Sequence, residues 1–429
     1  MDALEYLIHP NSTHEFLRQA WERSPLFVTE RTPAYFDGLM SLEDLVDVLS
    51  RETLFYPAVQ VFQAGRQLAA SDYTTWWHYG RESHRLIDGD RLLDLFDRGA
   101  TLNILGLERM NAQVQHLNAA LERETGFPVH TTGFLTPAHA ANIPAHYDEV
   151  DFFVLQTYGR KRWRVWQSDT QLPLVKGGDR TYGEGHRALD AERLAGDYVL
   201  GPGDMLFVPR GLIHQTFTES AASFHITVGI NPHRWYDAMK AIVDRALTSV
   251  SQDRRFRVSL PMPGSIAYEA ATPATSLFDP LAQTFEQAMK ESAPHAMEAL
   301  DRVMLTGRYR ARPGQLLELD ALDTLSEESV VQRRPALVVQ LTPQEDGWAL
   351  RFQGKTLVVP EQYVPWLVQL EEGRSFTVGD LLALGKGERT RDGTMNAVRQ
   401  LIAEGYLTHA AAARRSFAAQ DPAAALSWR

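Results

Sequence analysis

The chain has 429 residues, no cysteine and a formal net charge of −11, a length that suits two or three domains and a composition that excludes disulfides and thiolate metal sites. The acidic balance weighs against general nucleic-acid affinity, which needs a positive footprint, and favours steering of a cationic partner. No apolar run approaches the length needed to span a bilayer, and Met1-Asp2-Ala3-Leu4-Glu5 places acids where a signal peptide needs bases, so a soluble, cytoplasmic protein without direct nucleic-acid or membrane binding is expected.

In chain order, Ser12-Thr13-His14-Glu15 and Ser41-Leu42-Glu43-Asp44 read as capping boxes that open helices. Val59 to Phe62 reads as a strand, and Tyr73 to His78 as a helix. Phe152-Phe153-Val154-Leu155 is a doubly covered strand, Tyr158-Gly159-Arg160 a turn, and Lys161 to Trp166 the returning strand. On that strand Lys161, Trp163 and Val165 share one face, and Arg162, Arg164 and Trp166 the other. Leu200 to Asp204 is a turn, Met205 to Pro209 a short strand, and Arg210 to His214 leads into another at Gln215-Thr216-Phe217. Ser223 to Ile230 alternates with period two. Short antiparallel strands joined by Gly/Pro turns predict a mainly β core, a double-sheet jelly roll of the cupin kind.

Beyond that core, Trp235 to Val250 and Leu277 to Met304 have helical spacing, the latter around Pro280 and Pro294, with a break at Pro261-Met262-Pro263-Gly264. From Ser326, Ala336 to Leu341 and Trp348 to Phe352 read as paired strands, Thr377 caps a helix, and a helix ending at Glu404-Gly405 gives way to Tyr406-Leu407-Thr408, as in a winged helix. Glu371, Glu372, Asp380, Glu388 and Glu404 balance the basic residues there, so a protein contact is expected in place of DNA reading. The expected domains are 1–234 (N-terminal elements and β core), 235–325 (helical, a homodimer interface) and 326–429 (winged-helix-like).

The chemistry is concentrated at His146-Tyr147-Asp148, inside a strand-like run, with His214 at the mouth of a second strand. A His and an acid two positions apart on a strand project from one face. Two histidines and a carboxylate leave three coordination positions open, the pattern of non-haem Fe(II) oxygenases. Zinc catalysis more often uses three protein ligands and one water. The triplet alone recurs by chance in a chain with fourteen histidines, so its setting between strands and turns carries the reading. Tyr147 and Asp151 are expected to face substrate.

Thr136-Pro137, Pro144-Ala145-His146-Tyr147-Asp148, Gly159 to Trp163, Gly201-Pro202-Gly203-Asp204 with Pro209 to His214, and Ser223-Phe224-His225-Ile226-Thr227 together make the chain resemble the JmjC-type ribosomal oxygenases, Fe(II)- and 2-oxoglutarate-dependent protein hydroxylases. The resemblance covers the whole chain, including Glu22-Arg23-Ser24-Pro25-Leu26. It implies a double-stranded β-helix with Fe(II) held by His146, Asp148 and His214, and 2-oxoglutarate and O2 as co-substrates. It further implies that Lys161 pairs with the distal carboxylate of 2-oxoglutarate, and that Thr136, His225 and Thr227 line the co-substrate pocket. The implied reaction is hydroxylation of a histidyl or arginyl side chain of a basic polypeptide, a ribosomal protein; the other reading is a cupin-type oxygenase acting on a small molecule or a non-ribosomal peptide. Phe134 stands where these enzymes often present a tyrosine, which shifts weight onto Thr136. Lys161 and Ser-x-His-x-Thr resemble the eukaryotic histidyl hydroxylases more than the bacterial arginyl ones.

Overall fold

The computed structural model describes residues 2–51, 53–174, 191–260, 275–306, 314–334, 337–344, 346–371, 374–384 and 391–409. They fall into two compact units that meet in sequence between Pro232 and His233. The proline-glycine break at 261–264, the start of the strand expected from Ala336 and the tail from Ala410 lie wholly or partly outside the described residues.

The first unit contains β1 (Leu26–Val28), β2 (Val59–Gln63), β3 (Arg66–Gln67), β4 (Thr74–Tyr79), β5 (Glu82–Ile87), β6 (Thr101–Leu105), β7 (Val129–Thr136), β8 (Asp151–Tyr158), β9 (Lys161–Trp166), β10 (Leu194–Leu200), β11 (Met205–Val208), β12 (Ile213–Phe217) and β13 (Ser223–Ile230). An antiparallel eight-stranded sheet runs β1-β11-β8-β13-β7-β6-β2-β3, and a three-stranded sheet runs β10-β9-β12. This is the expected double-sheet β core.

The period of two explains how the sheets stack. On β8, Phe153 and Leu155 join a large core with Met205, Phe207, Phe16 and Ile8, while Phe152 and Val154 turn the other way to meet Trp163 and Val165 of the small sheet, with Leu206 and Val208. The large sheet therefore has helices on one face and the second sheet on the other, which is why β8 reads as a continuous apolar run. Full burial of each such side chain contributes roughly 1.5–3 kcal/mol. The helices Thr13–Gln19 and Leu42–Ser50 begin at Ser12 and Ser41 with the predicted capping boxes.

The helix expected from Tyr73 to His78 is instead strand β4, paired with β5 from Thr74↔Ile87 to Tyr79↔Glu82. Thr74, Thr75, Trp76, Trp77 and Tyr79 are β-branched or aromatic and fit a pleated surface, and Gly80, at φ 61°, makes the return turn.

Gly159 makes the β8–β9 turn at φ 64°. A Cβ there would lie 1.9 Å from the Ala222 carbonyl oxygen, so neither the backbone angle nor the space admits a side chain. Gly159→Ala is expected to cost about 3 kcal/mol from left-handed strain and overpacking, visible as a lower urea midpoint at unchanged slope.

In the second unit the helices Trp235–Val250 and Thr275–Thr306 share a small core of Ala246, Val250 and Ala288. Trp235, Tyr236, Met239 and Leu247 of the first helix are exposed. Further on, β15 (Gln340–Gln344), β16 (Gly347–Phe352) and β17 (Lys355–Val359) form one antiparallel sheet, and β18 (Ser375–Thr377), β14 (Val330–Arg333) and β19 (Leu407–His409) another. The first strand of the expected pair thus runs from Gln340, and a third strand joins it. The helices Val364–Glu371, Val378–Ala383 and Arg391–Ala403 pack with these sheets around Trp366, Leu370, Val398, Ile402 and Tyr406. Thr377 caps its helix as predicted, accepting a hydrogen bond from the Asp380 N–H.

Candidate metal centre

His146, Asp148 and His214 each present one ligand atom, all within 4.8 Å of one another. His214 is the second residue of β12, but His146-Tyr147-Asp148 is not a strand. It belongs to the loop between β7 and β8, and His146 makes a single antiparallel bridge to His214. Each of these two residues donates its backbone N–H to the other's carbonyl, at 3.2 and 2.8 Å. The ligands thus share a side because the loop is stitched to β12, and strand alternation has no part in it.

Both imidazoles are oriented for a cation. The Nδ1 of His146 lies 2.8 Å from the Pro144 carbonyl, and that of His214 3.2 Å from the Leu212 carbonyl. A carbonyl only accepts, so each Nδ1 carries the proton and each Nε2 keeps its lone pair. Burial pushes the His214 pKa down to about 4, the neighbouring His146 adds to that, and Asp148 opposes it. The ring is neutral, as ligation requires. His214 Nε2 sits 3.8 Å from an Asp148 carboxylate oxygen. Trp163 stacks on His214 at 5.8 Å and Phe152 meets it edge-on at 5.1 Å. Neither aromatic was singled out from the sequence as a ring support, although their positions on β8 and β9 carried the signal.

The cavity beside these ligands is lined by Phe134, Lys161, Trp163, His225 and Thr227 among others. Lys161 is buried at 2 % exposure, and its Nζ donates to Thr136 Oγ1 at 2.8 Å. Burial alone pulls the ammonium pKa down to about 7. Phe134 lies flat on His225, ring centroids 4.9 Å apart at 7°, and its face is 5.9 Å from Lys161 Nζ. Both ring nitrogens of His225, Thr227 Oγ1 and Trp163 Nε1 are buried without a hydrogen-bond partner. Buried polar atoms are nearly always partnered, so this group fits a polar anion entering the cavity. Two strand registers create the cluster: β13 sets His225 and Thr227 opposite Phe134 and Thr132 of β7, and β12 sets His214 opposite Val165 of β9.

Two expectations fail. Asp151 is fully buried and paired with Arg210, and Tyr147 is buried among Ala145, Trp166 and Ile213, so neither is open to a substrate.

Residues 107–238 match the JmjC domain family. Ribosomal oxygenase 1 of Gallus gallus is 31% identical over 273 residues, 61% of this chain and 42% of that protein. The bifunctional lysine-specific demethylase and histidyl-hydroxylase NO66 of Branchiostoma floridae is 30% identical over 263 residues, 60% of this chain and 37% of that protein. The chain thus spans less than half the length of these curated relatives. A structure of YcfD, a ribosomal oxygenase from Escherichia coli, superposes with a TM-score of 0.51 at 16% identity, covering 93% of this chain and 98% of that one; a second, in complex with cobalt and 2-oxoglutarate, gives 0.50 at 17%. These solved structures share the fold.

Proposed function

We propose, from the premise that this chain carries a JmjC domain homologous to those of ribosomal oxygenases, that it is an Fe(II)- and 2-oxoglutarate-dependent hydroxylase of a ribosomal-protein side chain, histidyl in preference to arginyl. One observation carries the reading: a ligand set of two Nε2 lone pairs and a carboxylate within 4.8 Å borders a cavity holding a buried lysine and unpartnered polar atoms. That donor set, nitrogen and oxygen without sulfur, fits Fe(II). With the keto acid and O2, the bound metal would supply oxidative decarboxylation to succinate and carbon dioxide, coupled to insertion of one oxygen atom into a C–H bond.

The protein's own part is positional. His146, Asp148 and His214 would hold the metal from one side. Lys161, kept in place by Thr136, would pair with the distal carboxylate of the keto acid, and His225, Thr227 and Trp163 would complete its hydrogen bonds. Phe152 and Phe134 close the cavity walls and exclude water. The preference for histidine rests on Lys161 and on the printed name of the NO66 relative.

The net charge of −11 suits a basic polypeptide, since it steers a cationic segment toward the enzyme over a Debye length of about 8 Å. The exposed Trp235, Tyr236, Met239 and Leu247 support homodimerisation through 235–325, because an apolar helix face is normally buried against something. The helix-strand-helix-helix-strand order over Val364–His409 supports a winged-helix-like module within 326–429. A cytoplasmic location fits the acidic, cysteine-free composition.

The deciding experiment incubates the protein with ribosomal proteins, iron and 2-oxoglutarate and reads intact masses. One ribosomal protein should gain about 16 Da, the mass of the inserted oxygen, with matching succinate. If none does while a small metabolite or an unrelated peptide is oxidised, the ribosomal assignment fails and the cupin-type alternative takes its place.

A further inference from the structure

The loop bearing His146 and Asp148 and the turn leading to His214 are joined by a buried ion-pair cluster that the mechanism above does not use. Arg210, four residues before His214, donates its backbone N–H to Asp151 Oδ1 at 3.1 Å and its Nη1 to Asp151 Oδ2 at 2.5 Å. Its Nη2 donates to Glu22 Oε1 at 2.6 Å. Asp151 is fully buried and the Arg210 side chain is 5% exposed, so the pair sits in a medium where breaking either side is costly. The adjoining Gly211 N–H donates to the Asp148 carbonyl at 2.9 Å. A Cβ on Gly211, which has φ 89°, would press on the Thr170 carbonyl at 2.7 Å. The turn is thereby held on both sides.

Glu22 adds an independent sign of purpose. It follows the helix Thr13–Gln19 in a left-handed conformation, φ 57°, which costs a residue with a side chain roughly 1–2 kcal/mol. That conformation accompanies a carboxylate aimed at Arg210 from 188 positions away. The Asp148 carboxylate, by contrast, lies 3.8 Å from His214 Nε2 and makes no side-chain hydrogen bond among the described residues. Its placement depends on where its backbone is pinned.

We propose that Arg210, held between Glu22 and Asp151, is a positioning residue that sets the spacing of Asp148 and His214 and so the affinity of the metal centre. The inference rests on the reading that His146, Asp148 and His214 hold a divalent metal. Loss of Arg210 would leave the buried Asp151 carboxylate unpaired and release the turn from Pro209 to His214. Loss of a ligand's direct hydrogen-bond partner typically costs 10–100-fold in metal affinity, and Arg210 acts one contact further out, through the backbone of the turn, so a loss of up to about tenfold is expected. Lysine can reach one of the two carboxylates but not both, so it should restore part of the effect.

The test titrates cobalt(II) into metal-free full-length protein and follows visible absorption, with thermal unfolding in parallel. Arg210→Gln and Glu22→Ala are expected to weaken cobalt binding by up to about tenfold and to alter the band, with Arg210→Lys between them and wild type. If Arg210→Gln does not fold, Glu22→Ala and Arg210→Lys decide, since Glu22 is more than a third exposed. Variants that melt earlier yet bind cobalt with wild-type affinity and spectrum would show a purely structural cluster and overturn the proposal. Wild-type protein that takes up no cobalt would overturn the metal reading itself, a result distinct from unchanged variants.

Discussion

His146→Ala protein is expected to bind no stoichiometric iron and to make no succinate from 2-oxoglutarate. His146 supplies one of only three ligand atoms in the cluster, and its Nδ1 bond to Pro144 leaves Nε2 with no other role. Removing a ligand outright should exceed the roughly 10–100-fold loss that follows removal of a ligand's orienting partner. The fold should survive, because His146 lies on a loop and is only half-buried. Iron content by atomic absorption, read beside circular dichroism, checks this. One equivalent of iron and full succinate output in the variant would dismiss His146 as a ligand.

Lys161→Ala should leave metal uptake nearly intact and weaken 2-oxoglutarate binding by roughly a hundred- to several-thousand-fold, the equivalent of about 3–5 kcal/mol for a buried charge pair broken on one side. The same lysine predicts a pH dependence with a definite sign. Its ammonium pKa in the free protein is pulled down to about 7 by burial, while a bound carboxylate would favour the charged form. Above pH 7 binding must therefore take up a proton, and affinity should fall about tenfold per pH unit until the pKa of the bound state is passed. Calorimetry in two buffers of different ionisation heat measures that uptake. An affinity flat from pH 7 to 8.5, or a wild-type dissociation constant in the alanine variant, would place the keto acid's far carboxylate elsewhere.

Local chemistry alone determined much of the β core. The alternation on Lys161 to Trp166 and Ser223 to Ile230, the apolar run of Phe152 to Leu155, and the caps at Ser12, Ser41 and Thr377 depend on neighbours two to four positions away, and all formed as read. The three candidate ligands were also legible, because few residue types bind metal in a chain without cysteine. Tertiary structure decided what those residues do together. His146 and Asp148 converge on His214 through a loop-to-strand bridge, which no strand periodicity encodes. Tyr73 to His78 has aromatic residues at spacings compatible with a helix, and only pairing with Glu82 to Ile87 made it a strand. Asp151 looked like a substrate-facing acid beside the ligands. Its burial came from Arg210, 59 positions away, and Arg210 was held in turn by Glu22, 188 positions away. Contacts at such separations form only when the sheets close around their core, because the entropy of bringing distant segments together is offset by burial of the whole unit and by no local preference of the residues concerned.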